Sequence, residues 1–150
     1  RNYRKIARTI CKASGRGKMN TTFELKQAVE RVVNPRFLTK SLARVFQAVR
    51  IKINDELGAI QQALQKSAHW LKVGGRIAII SFHSLEDKIV KQFFIDSSVA
   101  CVCPREFPVC MCDTVPTLKV LTRKALMPGN SEIQRNSRSR SAKLRVAERV

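Results

Sequence analysis

Two groups of side chains in this sequence can do chemistry. The first is His83 with Glu86 and Asp87, its single cluster of histidine and carboxylates. An imidazole beside carboxylates can take or deliver a proton near neutral pH, or hydrogen-bond a base or a phosphate. The same residues also suit a plainer task, orienting a strand-to-helix turn, with Glu86 and Asp87 as charges that stabilise a helix N-terminus. The second group is Cys101, Cys103, Cys110 and Cys112, spaced C-x-C-x6-C-x-C. Four thiolates this close can hold zinc tetrahedrally, although zinc knuckles favour C-x2-C. Reduced thiols on a loop are the alternative, and a disulfide is disfavoured in a cytosolic protein. Cys11 stands apart on an apolar helix face and is assigned to a core. His69, beside Trp70, is assigned a structural role. No G-x-G-x-x-G and no G-x-x-x-x-G-K-[ST] occurs, so no phosphate-cradling glycine loop is legible.

The charge balance points to a polyanion. The 150 residues carry 29 Lys and Arg against 11 Asp and Glu, a net charge of +18. Residues 1–52 hold 14 basic and 2 acidic side chains, residues 53–104 hold 5 of each, and residues 105–150 hold 10 and 4. Two basic ends therefore flank a neutral middle, a field that attracts phosphate backbones with strong salt dependence. At 44% hydrophobic residues the chain is no disordered tail. No apolar run approaches the roughly 20 residues of a membrane helix, and no secretory h-region follows Arg1. The expected location is the cytoplasm. The absence of an initiator Met leads to the expectation that the chain begins inside a longer protein.

The elements that must position these residues follow from periodicity. Tyr3, Ile6, Ala7, Ile10 and Cys11 form one stripe of a helix over 3–13, stopped at Gly15 and Gly17. Thr21 and Glu24 make a capping box for a second helix that ends at Asn34-Pro35. This basic helix pair has the outline of a helix-turn-helix, or of two helices that simply pack on a neighbour. From Arg44 to Leu71 a sustained apolar stripe predicts one helix about 42 Å long. After Gly74-Gly75, Arg76–Phe82 reads as a strand buried on both faces, as in a parallel sheet. Ser84 to Asp87 reads as the cap of the next helix. This crossover puts Phe82-His83-Ser84 at a strand's carboxyl end, where open α/β sheets bind ligands. Leu118–Leu121 is a further strand and Met127–Asn130 a turn. Residues 135–141 are a loop with three arginines. Ala142, Leu144 and Val146 alternate with Lys143, Arg145 and Ala147, predicting a last strand with one basic, exposed side.

Several of these segments match known motifs. Ile79-Ile80-Ser81-Phe82-His83-Ser84-Leu85-Glu86-Asp87-Lys88-Ile89-Val90-Lys91 resembles the ISFHSLEDRIVK signature of the bacterial 16S ribosomal RNA cytosine-N4 methyltransferases. Residues 44–57 resemble that family's RVFQALRIxVNxEL, residues 136–145 its NPRARSAKLR, and Thr21-Thr22-x-x-Leu25 its TTxxL. The cysteine-rich segment also resembles one found in some members. Departures are Lys40-Ser41-Leu42-Ala43 where the family has His-Pro-Ala-Thr, Ser137 for Pro, and Val73 for the Pro before Gly-Gly.

The resemblance implies an α/β fold: the C-terminal strands of a class I methyltransferase Rossmann-like sheet, with an inserted all-helical domain. Residues 1–43 would be part of that helical insertion, 44–73 a long helix returning to the core, and 74–150 the C-terminal part of the α/β domain. The implied activity moves a methyl group from S-adenosylmethionine to N4 of a cytidine in the decoding region of 16S rRNA. The family's cofactor residues lie on amino-terminal strands, so none is carried over to this chain. The expected catalytic pair is His83 and Ser84. The expected RNA contacts are Arg44, Arg50, Arg138, Arg140, Lys143 and Arg145, with the small ribosomal subunit as partner. The chain alone is expected to be inactive and marginally stable, because half a sheet leaves a strand edge unpaired. A non-catalytic nucleic-acid-binding module and a ribosome-associated structural protein are the competing readings.

Overall fold

The computed structural model describes residues 2–103 and 111–150. The chain divides into two compact units, Arg1–Asp55 and Glu56–Val150. The division falls inside segment 44–73, which the sequence assigns to one returning helix.

The first unit is helical. Helix α1 spans Tyr3–Ser14, α2 Thr22–Glu30 and α3 Leu38–Asn54, with a 3-10 turn at Pro35–Phe37 before α3. Ile6, Val29 and Val33 form its buried centre, joined by Ile10, Val32, Leu38, Leu42 and Val45. Cys11, assigned to the core, is exposed instead: the α1 stripe that buries runs through Ile6 and Ile10, and Cys11 lies beyond its edge. The capping box of α2 is present. Thr21 Oγ1 accepts from Glu24 N–H at 3.2 Å, and Glu24 Oε2 accepts from Thr21 N–H at 3.0 Å and Asn20 N–H at 2.7 Å. The Asn20 amide, followed by that of Thr21, holds the Glu24 carboxyl below its ordinary pKa. Thr21→Ala removes the acceptor that anchors this helix start and is expected to lower stability by about 1 kcal/mol. A urea titration followed by circular dichroism checks it.

The predicted single helix from Arg44 to Leu71 is two. Asp55 adopts φ 48°, ψ 39°, the left-handed conformation that ends an α-helix, and α4 starts afresh over Glu56–Trp70. Ile53, counted on the continuous stripe, is accordingly exposed.

The second unit is a mixed α/β layer. Strand β1 spans Arg76–Ser81, α5 Ser84–Ser97, β2 Leu118–Val120, α6 Asn130–Arg135 and β3 Lys143–Arg149, with a 3-10 turn at Ser137–Ser141 before β3. The sheet order is β1-β3-β2, and β3 runs antiparallel to both neighbours. The parallel pairing inferred for β1 is therefore not what these strands make among the described residues. Leu64, Ala68, Ile77, Val90, Phe94, Leu118 and Ala147 form the core, with helices on one face of the sheet. On the other face Ala78 and Ile80 of β1 are exposed, which corrects the expectation of a strand buried on both sides. Alternation wins because helices cover only one side.

The turn into β1 needs its glycines. Gly74 has φ 80°, and a Cβ on Gly75 would sit 2.8 Å from the Lys72 carbonyl oxygen. The pair is laced to the end of β3: Gly74 N–H donates to Arg149 O and Arg149 N–H to Gly75 O, each at 2.8 Å. The segment 135–141, read as a loop, is largely helical: α6 ends at Arg135 and the 3-10 turn takes Ser137–Ser141, with Asn136 extended between them. Cys110 lies outside the described residues.

Candidate functional site

The sequence places its chemistry at the carboxyl end of β1, and the structure builds a closed turn there. His83, not Ser84, is the N-cap of α5. Its backbone is extended, and its Nδ1 accepts from Glu86 N–H at 3.3 Å. Glu86 returns the favour: Oε2 accepts from Phe82 N–H at 2.9 Å and from His83 N–H at 3.1 Å. Ser84 becomes the first helical residue and is exposed.

Because Nδ1 accepts, the neutral ring's proton is assigned to Nε2. Nε2 is buried, 3.1 Å from Glu86 Oε1 and 3.9 Å from Glu56 Oε2 on the first turn of α4. The Glu86 approach is too oblique for a hydrogen bond, so this N–H has no aligned acceptor among the described residues. Of the expected pair, the His83 ring is turned inward, and Ser84 is the exposed polar group. An open groove of about 590 Å3 between α4 and α5 starts beside them, with Leu57, Gln61, Leu85, Lys88 and Gln92 in its walls.

One turn into α5, Asp87 is buried and acts as a hub. Arg145 Nε donates to Oδ1 at 2.7 Å, Arg145 Nη2 to Oδ2 at 3.2 Å, and Lys143 Nζ to Oδ2 at 3.3 Å. The Arg145 guanidinium, against the opposing cost of burial and with help from Lys143, holds the Asp87 carboxyl below its ordinary pKa. Arg145 is only 8% exposed. The basic side predicted for the last strand is thus not a solvated one at this position: the inward-facing arginine is neutralised by a carboxylate 58 residues earlier. A buried charge is tolerated only when paired in this way.

Arg138 and Arg140 have the opposite disposition. Asn136 Oδ1 accepts from Arg138 N–H at 3.1 Å, and the Ser139 hydroxyl donates to Asn136 O at 2.7 Å. Ser139 is buried between them, so the 3-10 turn fixes two exposed arginines on either side of an inward serine. Arg44 and Arg50 are exposed on α3 of the first unit. That unit also holds a basic feature that reading by residue did not single out. Lys12, Arg16, Lys18 and Arg31 converge with Glu24 on a cleft of about 410 Å3 between α1 and α2. The +12 balance of residues 1–52 was its signal. Glu56 carried no signal, since its approach to His83 depends on how α4 packs.

Comparison with known proteins decides the family. The family model described as the MraW methylase family matches residues 1–150. The chain belongs to that family. Among curated relatives, ribosomal RNA small subunit methyltransferase H of Caldicellulosiruptor saccharolyticus is 48% identical over 151 residues, covering 100% of this chain and 49% of that protein. The Finegoldia magna protein of the same name is 44% identical, covering 98% of this chain and 48% of the relative. That of Fusobacterium nucleatum is 40% identical, covering 100% and 48%. This MraW-family chain thus spans about half the length of the curated relatives it matches. Methyltransferase chemistry in the family implies S-adenosylmethionine as the methyl source.

At the turn from β1 into α5, the backbone offers that cofactor no open pair of amides. Such a turn can hold an anionic group, such as that cofactor's carboxylate, through open backbone amides. Here the amides of Phe82 and His83 are both taken by Glu86.

Proposed function

We propose that this chain is the RNA-holding portion of an S-adenosylmethionine-dependent methyltransferase that modifies N4 of a cytidine in the decoding region of 16S rRNA. The match of the methylase family along residues 1–150 carries this reading. The sheet order β1-β3-β2, with β3 reversed, supports taking these strands as the closing ones of a Rossmann-like sheet. The cofactor contacts are assigned outside residues 1–150, and the protein to the cytoplasm with its rRNA. No helix of the described residues is long and apolar enough to cross a membrane.

The exocyclic amine of a paired cytosine is out of reach within a helix, so the target nucleotide must be unpaired or flipped out. The work of this chain is then to hold the strand and place the base. Arg138 and Arg140, fixed by the 3-10 turn, are assigned to phosphates, as are Arg44 and Arg50. Lys143 retains part of its exposure and adds positive potential. Arg145 serves by locking β3 to α5. Ser84 faces the substrate, and His83 holds Ser84 in place.

Two experiments test this. With a protein carrying this chain at the full length of its relatives, tritiated S-adenosylmethionine should label small-subunit rRNA on cytidine N4. Label on another atom or another base overturns the assignment. With the chain itself, changing Arg138 and Arg140 to Ala should weaken RNA binding. It should also reduce the slope of log affinity against log salt by about 1.4 to 1.8, two phosphates' worth. An unchanged slope removes both from the interface.

A further inference from the structure

One cluster plays no part in the reading above. Between α5 and β2, within the second unit, the described residues form two arms, 98–103 after α5 and 111–117 before β2, and the Thr117 N–H donates to Ser97 O at 2.9 Å. Cys101 and Cys103 on the first arm meet Cys112 on the second. Their three Sγ atoms all lie within 4.8 Å of one another. The Cys112 thiol approaches Cys101 Sγ at 3.6 Å.

We propose that Cys101, Cys103 and Cys112 bind one zinc ion that clamps the two arms together. Three observations carry this. The first is spacing. Sulfurs at two corners of a zinc tetrahedron lie roughly 3.8 Å apart, given a Zn–S bond of about 2.3 Å. The Cys101–Cys112 separation of 3.6 Å meets that value, whereas a disulfide requires about 2.05 Å.

The second is the outer shell. Each sulfur receives a backbone amide from the described residues: Val102 N–H points to Cys112 Sγ, Cys103 N–H to Cys101 Sγ and Met111 N–H to Cys103 Sγ, all at 3.4 Å. Ligating groups are oriented by such second partners. The third is the exposure of the arms' described apolar side chains. Val102, Met111 and Val115 are 67%, 79% and 76% exposed, so their burial is not what draws the sulfurs together. In the cluster of Glu56, His83 and Glu86, in contrast, His83 and Glu86 are committed to capping α5.

Three thiolates favour a soft or borderline ion over magnesium or calcium. Each thiol gives up its proton to solvent as its sulfur bonds the metal, so three Zn–S bonds form as three S–H bonds are lost. Water or one further donor completes the tetrahedron. Proton release makes the affinity fall as pH falls.

The test uses the chain, reduced and stripped with a chelator, titrated with zinc chloride. Separately, cobalt chloride reports thiolate ligation through its charge-transfer absorption. One equivalent of zinc and strong thiolate-to-cobalt bands are expected. Cys101→Ser, Cys103→Ser and Cys112→Ser should each weaken zinc by more than the roughly 10–100-fold that outer-shell changes cost. Cys11→Ser should bind as the parent does, and circular dichroism of each variant reports whether it folds. The cobalt spectrum of the parent chain tests the site without any variant. Substoichiometric zinc, cobalt without thiolate bands, or a folded Cys112→Ser variant that binds as tightly as the parent overturns the proposal. Recovery of a Cys101–Cys112 disulfide from reducing buffer does so too.

Discussion

Asp87→Ala should destabilise the second unit by about 3–5 kcal/mol, the cost of leaving a buried charge without its partner. Arg145 is only 8% exposed, and among the described residues Asp87 accepts both of its side-chain hydrogen bonds. Lys143 would lose its carboxylate as well, so two positive charges on one strand would face each other across the gap. Replacing the pair together, Asp87→Leu with Arg145→Met, should recover much of the loss, since well-packed apolar residues can substitute for a buried ion pair. Urea unfolding of the single and double variants measures this. Equal destabilisation by both would show that the site tolerates no repacking and that the charges are not the cause.

The same carboxylate sets a pH dependence. The folded-state pKa of Asp87 lies below its ordinary value, chiefly through Arg145. Its contribution to stability is therefore fully present above the unfolded-state pKa of about 3.9. It is lost progressively as pH falls through that value and through the lower folded one. In Asp87→Asn the acid limb of the stability profile should flatten over this window. An unaltered limb would assign the acid sensitivity to other carboxylates.

His83→Ala should cut methyl transfer about 100-fold in a protein carrying this chain at the full length of its relatives. That is the scale of effect that a misplacement of order 1 Å produces. Alanine offers no acceptor to the Glu86 amide, and the loop that presents Ser84 loses its anchor. His83→Asn supplies a side-chain oxygen in place of Nδ1 and is among the favoured N-caps. Turnover and the thermal midpoint should both return in it. Recovery of the thermal midpoint while turnover stays low would overturn the positioning role and give the imidazole itself a part in the chemistry. S-adenosylmethionine affinity, measured by calorimetry on the same variants, should not change.

Local features were legible in the sequence to the extent that their causes are local. The capping box at Thr21 needs only Glu24, three residues on, and it forms as read. The strand from Arg76 and the helix after it are bounded by a glycine pair and a polar cap, and both appear. The break at Asp55 was hidden because one left-handed residue leaves the count of apolar spacings intact. The Asn54-Asp55 pair was the available sign, since these residues visit that conformation most readily after glycine. Arg145 was misplaced for another reason. Alternation marks which residues share a face, but whether that face is wet depends on what packs there. Its partner is far away in sequence. The inward turn of His83 follows from its capping of α5, one residue before the serine that the S-x-x-D pattern marks.

β3 lies between β1 and β2 yet follows both in the chain. Arg76 and Glu148 are bonded across 72 residues of sequence. A ribosome making this protein must therefore release residues 76–120 well before the strand that joins them exists. The first unit, whose elements all precede Glu56, leaves the ribosome before the sheet of the second can be completed. The sheet waits, with two unjoined edges, until translation has passed residue 149. That interval is where chaperone dependence and aggregation of this protein will concentrate.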